Sequence, residues 1–120
     1  MRPVPRIGPA ERVCARKDFG RLRREGARGG DSVIRVLVAN NELGWSRIAS
    51  AVSRRYGNAV ARNVMRRRYR EAFREVKGSI PKGYDILVSP ARGSHSASLE
   101  DVKSSLIRCV EKVARRLEKK

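Results

Sequence analysis

Between residues 99 and 117 six apolar side chains, Leu99, Val102, Leu106, Val110, Val113 and Leu117, recur at intervals of 3, 4, 4, 3 and 4. That spacing winds them into one stripe along an α-helix, and such a stripe has to be buried against another element. Ser98 is placed to cap the helix, with Glu100 and Asp101 in the first turn, where the dipole favours acids. Three short runs of β-formers supply the surface that the stripe needs. Ser32–Ala39 holds Val33, Ile34, Val36, Leu37 and Val38; Trp45–Ser53 follows the turn residues Asn40 to Gly44; Tyr84–Ser89 stops before Pro90.

Two more helices complete the order. The first runs from Lys17 or Asp18 to Glu25, with Asp18 as N-cap, Phe19 and Leu22 as an apolar pair and Gly26 as its stop. Gly29 and Gly30 read as a loop or bulge. A longer helix spans about 58–77 with Asn58 as N-cap. The sequence thus reads helix, strand, strand, helix, strand, helix, and a small sheet carrying helices buries these stripes most economically. Passage 45–89 is long enough for a parallel strand–helix–strand crossover. In the strand over 45–53, Ile48, Ser50 and Val52 share one face. The small side chains among Trp45, Arg47, Ala49, Ala51 and Ser53 leave the other open to close approach. Residues 1–14, rich in Pro, Arg and Gly, read as a basic, flexible arm, and 15–120 as a single domain, the size that one modest core supports.

Charge limits the function. Twenty-nine Lys and Arg stand against 12 Asp and Glu, a net charge of +17, and an imbalance of that size suits a polyanionic partner. Cys14, Cys109 and His95 are too few and too far apart for structural zinc, and two cysteines build no disulfide framework. No run is long and apolar enough for a membrane span and the N-terminus lacks a signal-peptide core, so a cytoplasmic, membrane-free protein is expected. A protein nuclease needs converging acids for a metal, or a His base. Asp18, Asp31, Asp85 and Asp101 lie on different elements, and His95 sits alone in a Gly/Ser loop, so no catalytic residue and no protein-held metal are expected.

The helix over 58–77 carries the positive charge in order. On a wheel at 100° per residue, Ala61, Ala72, Met65, Val76 and Tyr69 form the core stripe, followed by an arc of Arg62, Arg66, Arg70, Asn63, Arg74 and Arg67 that only Phe73 interrupts. Glu71 is spaced to pair with Arg67 and Arg68. Arg62, Arg66, Arg70 and Arg74 recur every four residues, about 6 Å of rise, close to the spacing of successive phosphates, and guanidinium forks fit phosphate in a bidentate manner. Arg54 and Arg55 add charge near the helix N-terminus, where backbone N–H groups attract anions. A solvated helix face mixes signs, whereas residues 54–74 hold eight Arg and one Glu.

The run Val52-Ser53-Arg54-Arg55-Tyr56-Gly57-Asn58-Ala59-Val60-Ala61-Arg62-Asn63-Val64-Met65-Arg66-Arg67-Arg68-Tyr69-Arg70-Glu71-Ala72-Phe73-Arg74 resembles the signature of the bacterial ribonuclease P protein subunit. Arg16 to Gly26 is similar to that family's first helix and Tyr84 to Arg92 to its last strand, so the likeness covers about residues 11–117. The resemblance implies an α+β fold, a two-layer α/β sandwich whose small mixed sheet has a left-handed βαβ crossover, like the second domain of a small-subunit ribosomal protein. Residue geometry alone favours a right-handed crossover. It further implies a ribonucleoprotein, one protein per catalytic RNA, in which RNA-bound Mg and the RNA itself remove the 5′ leader of precursor tRNA. Carried onto this sequence, it assigns RNA binding to Ser53, Arg54, Arg55, Asn58, Arg62, Asn63, Arg66, Arg67, Arg70 and Arg74. It assigns the leader cleft to Lys17, Phe19, Ile34 and Leu37.

Four positions depart from the family pattern. Val64 stands where Arg commonly follows the Arg-Asn pair, Ile34 and Leu37 stand where aromatics are frequent, and Arg23 replaces an apolar residue. Leader binding here is expected to lean on charge more than on stacking, with a steeper salt dependence than in an aromatic-rich relative. Two other functions compete. A structural RNA-binding protein of the ribosome or its assembly needs the same basic patch and differs in the Val52–Arg74 motif. A DNA reader is disfavoured because the Arg row meets phosphates while few Asn, Gln or Ser are placed for base edges. Trp45 and Tyr56 could stack on bases, but residues of this kind more often pack in a core or at an edge.

Overall fold

The computed structural model describes residues 11–13, 15–91 and 97–118. Helix α1 is Arg16–Glu25, followed by β1 (Ala27–Gly30), β2 (Ile34–Asn40), β3 (Arg47–Ser50), α2 (Ala59–Val76), β4 (Tyr84–Pro90) and α3 (Leu99–Glu118), with 3-10 turns at Arg54–Tyr56 and Lys77–Ser79. The four strands form one mixed sheet in the order β1-β2-β4-β3. β2 runs antiparallel to β1 and β4, while β3 and β4 are parallel neighbours joined through α2. The expected α+β class and the small mixed sheet are both present.

Strand alternation sorts the core. Ile34, Val36, Val38, Ile48, Ile86 and Val88 face α2 and α3 in one buried cluster with Met65, Tyr69, Phe73, Val102, Leu106 and Val110. The opposite parity, Leu37, Ala39, Ala49 and Leu87, meets Leu22 and Phe19 of α1, together with Val13, in a smaller cluster. Of the small residues expected on the second face of the strand over 45–53, Ala49 lies in this cluster.

The long helices form as their caps require. Asn58 Oδ1 accepts from the Ala61 N–H at 2.9 Å. Ser98 and Asp101 cap α3 reciprocally: Asp101 N–H donates to Ser98 Oγ, and Ser98 N–H to an Asp101 carboxylate oxygen, both at 3.1 Å.

Four expectations change. Asp18 is not the N-cap of α1; Ala15 takes that place and Asp18 is turned inward and buried. The Gly29-Gly30 segment is strand β1, not a loop, because β2 offers it a ladder and a Cβ on Gly29 would lie 2.4 Å from Val113 Cγ2. Only glycine lets α3 come so close. Part of the segment expected as an arm over 1–14 is held on the sheet: Arg12 bridges to Ile48, and Val13, buried, donates its N–H to the Ile48 carbonyl at 3.0 Å. Phe73, expected within the Arg arc, is buried, because α2 packs against both the sheet and α3 and needs a wider apolar face. Residues 1–10, Cys14 and His95 lie outside the described residues.

Candidate nucleic-acid interface

The buried arc of α2 runs from Ala72 through Met65, Val76 and Tyr69 to Phe73, which leaves the Arg row along its border. Arg62, Arg66 and Arg74 are half-buried, while Arg67, Arg70 and Asn63 are exposed. Half-burial suits Arg, whose stem can lie on the protein while the guanidinium reaches out. Asn63 Oδ1 accepts from Arg66 Nη1 at 3.0 Å and the Asn58 carbonyl from Arg62 Nε at 3.4 Å. Neither partner is an acid, so both guanidiniums keep their charge. Arg67 and Arg68 make no ion pair with Glu71 among the described residues; Arg68 donates instead to the Ala97 carbonyl at 2.7 Å. Glu75 lies 3.9 Å from Lys103 of α3, away from the row.

Two cavities open beside the row. The larger, about 680 Å³, lies at the ends of β3 and β4 and is lined by Ser53, Arg55, Tyr56, Arg66 and Ser89, among others. Arg54, Arg55 and Ser53 are exposed on the turn that precedes α2. The smaller, about 200 Å³, lies between α1, the sheet and α2, where Phe19 faces Ala49, Ser50, Tyr69 and Arg70, with Arg12 at its wall. Arg66 and Arg70 are successive members of the row, and each lines one of the two cavities. Cationic side chains therefore run from the larger groove to a cleft lined by an aromatic ring.

The leader-cleft residues separate. Phe19 lines the cleft and Lys17 is exposed on the same helix. Leu37 is on the same face of the sheet but sits under the end of α1, where a Cβ on Gly26 would come within 2.8 Å of it. Ile34 is a correction: it is fully buried against α2 and α3 and cannot line an open cleft. Ile34 and Leu37 are three residues apart on one strand and so point to opposite faces. Val64 is exposed beside the row. Asn58 spends its side-chain oxygen on the helix cap. Arg12 and Tyr69 were missed as cleft residues, one because it stood in a presumed arm and the other because the helical wheel marks it only as core.

Acids are kept from this track. Asp18 and Asp85, expected to be isolated, meet beneath α1, where Arg21 and Arg47 hold both. Burial alone would raise the Asp85 carboxyl, but hydrogen bonds from Arg47 and Asn41 and the Arg47 charge outweigh it and hold its pKa below the usual carboxylate value. Asp31 is likewise held low: burial opposes, and hydrogen bonds from Arg108, Ser105 and the Ile34 and Val33 N–H groups prevail. Among the described residues no three His, Cys, Asp or Glu side chains converge as metal ligands would.

Comparison with known proteins finds one family. The family model "Ribonuclease P" matches residues 8–114. The ribonuclease P protein component of Syntrophobacter fumaroxidans is 39% identical over 108 residues, 89% of this chain and 91% of that relative; that of Thermotoga petrophila is 42% identical over 82 residues, 68% and 70% of the two chains. Among solved structures, the ribonuclease P protein of Thermotoga maritima superposes with a TM-score of 0.75 at 33% identity, covering 88% of this chain and 96% of that one. The Staphylococcus aureus protein gives 0.73 at 30%, covering 88% and 95%.

Proposed function

The chain belongs to the bacterial ribonuclease P protein family, and from that premise we propose that it docks on the catalytic RNA through the α2 row and receives the 5′ leader of precursor tRNA in the cleft beside Phe19. Membership makes it a component of a ribonucleoprotein, so an RNA partner comes with it. The observation that carries the finer reading is that Arg66 and Arg70, one turn apart, line the larger groove and the aromatic cleft. A duplex or folded RNA needs only the phosphate-spaced guanidiniums. A single strand needs a groove with charge on one wall and a ring for a base to stack on, and the cleft supplies both.

In this reading the chemical step belongs to the RNA. Asp18 and Asp85, the carboxylates that approach each other beneath α1, are neutralised by arginines, so these residues do not fit a catalytic Mg, and divalent magnesium is assigned to the RNA. The protein contributes positive charge beside that metal and affinity for precursor over mature tRNA. One protein per catalytic RNA and a cytoplasmic site of action belong to the same proposal; no described helix is long and apolar enough to cross a membrane.

The test is cleavage of precursor tRNA by a bacterial ribonuclease P RNA at low magnesium, with and without this chain. Strong stimulation with release of the leader at the mature 5′ end is expected. Tight RNA binding without stimulation, with this RNA and with the organism's own, would transfer the protein to the ribosomal or assembly class.

A further inference from the structure

Five polar side chains from four segments meet between α1 and the sheet: Asp18 and Arg21 of α1, Asn41 after β2, Arg47 of β3 and Asp85 of β4. Asp85 is fully buried at their centre. Its oxygens accept from Arg47 Nε at 2.7 Å and Nη2 at 2.6 Å, from Asn41 Nδ2 at 3.0 Å and from Arg21 Nη2 at 2.7 Å. Asp18 Oδ1 lies 3.3 Å from Arg21 Nη2 and 3.4 Å from Arg47 Nη2. Two carboxylates balance two guanidiniums, so this cluster, unlike the α2 row, has no charge left over for a polyanion.

Its place is what matters. Of the apolar residues of α1 only Leu22 is fully buried, so the helix has little area with which to hold itself on the sheet. A buried ion network adds little net stability over apolar packing, but its hydrogen bonds are directional and fix an orientation. Phe19 follows Asp18 directly in the chain and lines the cleft that Ala49 and Ser50 border from the sheet side. We propose that Asp85, acting through Arg21 and Arg47, is a positioning residue that sets the height of α1 above the sheet and with it the gap in which a single-stranded leader lies. This rests on the leader reading of the cleft.

The experiment compares Asp18→Asn, Arg21→Met and Asp85→Asn, each assembled with the catalytic RNA, for affinity towards precursor and mature tRNA. Both Asp variants remove a negative charge near a polyanion, so bulk electrostatics predicts tighter binding. Positioning predicts the reverse for Asp85→Asn, and the same loss for Arg21→Met: preference for precursor falls on the order of tenfold, as small misplacements of binding groups do, while affinity for mature tRNA holds. Asp18→Asn leaves all four hydrogen bonds to Asp85 in place, so it keeps the preference and separates loss of charge from loss of position, and Arg21→Met reports even if Asp85→Asn fails to fold. Arg21→Lys, which keeps a cation on α1, restores part of the preference lost in Arg21→Met. Unchanged or increased preference in Arg21→Met, whatever its melting temperature, would overturn the proposal. A wild-type holoenzyme that does not prefer precursor would instead overturn the leader reading beneath it.

Discussion

Arg47 and Asp85 face each other across the parallel register of β3 and β4, and the guanidinium grips both oxygens of the carboxylate at 2.7 and 2.6 Å. A carboxyl whose pKa is held low in the folded state and is ordinary, about 3.9, in the unfolded chain stabilises the fold at all pH values above that. The contribution is lost as pH falls through the folded-state pKa, and Asp31 acts with the same sign. Urea midpoints should therefore stay level from pH 7 to pH 5 and drop below about pH 4. A steady decline between pH 7 and pH 5 would show that these two carboxylates do not govern acid stability.

Replacing Arg62 or Arg66 by Ala should weaken binding to the catalytic RNA and flatten the log–log salt dependence by roughly 0.7 to 0.9 for each phosphate that is no longer neutralised. Filter binding across a salt series measures it. An unaltered slope for either variant would remove that residue from the RNA interface.

Phe19→Ala should cost about 1–3 kcal/mol of affinity for precursor tRNA, the worth of one stacked base, and leave mature tRNA binding as it was. An equal loss for both would make Phe19 a packing residue under α1.

Gly29→Ala places a methyl where Val113 Cγ2 would be 2.4 Å away. Overpacking of this kind costs about 1–3 kcal/mol, read as a lower urea midpoint. A variant as stable as the parent would mean that α3 can slide off β1 without penalty.

Burial pushes the Cys109 thiol up to about 11, and the Asp31 charge adds to the shift. In a Cys14→Ser background, alkylation at pH 8 should be slow in the folded protein and fast in denaturant, since the thiolate is the reacting form. Fast labelling of the folded chain would place Cys109 outside the core.

What the sequence made legible was local. The extent of α2, its Asn58 cap, the α3 stripe and strands β2 and β4 follow from period and capping chemistry, which a chain carries within about twenty residues. Strand β1 did not, because Ala-Arg-Gly-Gly has no β-former; its ladder comes from β2 and its glycine from the close approach of α3. The Asp18–Arg21–Arg47–Asp85 cluster was hidden for a similar reason, since its members are brought together only by strand order. In the site, the Arg row was visible as a row. That Arg66 and Arg70 open onto different cavities depends on how α2 meets the sheet.

The short bridge from Arg12 and Val13 to Ile48 has a consequence for the protein before it finds RNA. It lies along the outer side of β3, one of the two places where another molecule's strand could dock. On the far side of the sheet, the Arg116 guanidinium reaches the Arg28 carbonyl of β1. Both margins of the sheet are thus partly stoppered by the chain itself. Together with strong mutual repulsion, that is a defence against edge-to-edge aggregation, and it leaves the cationic track as the surface open to association.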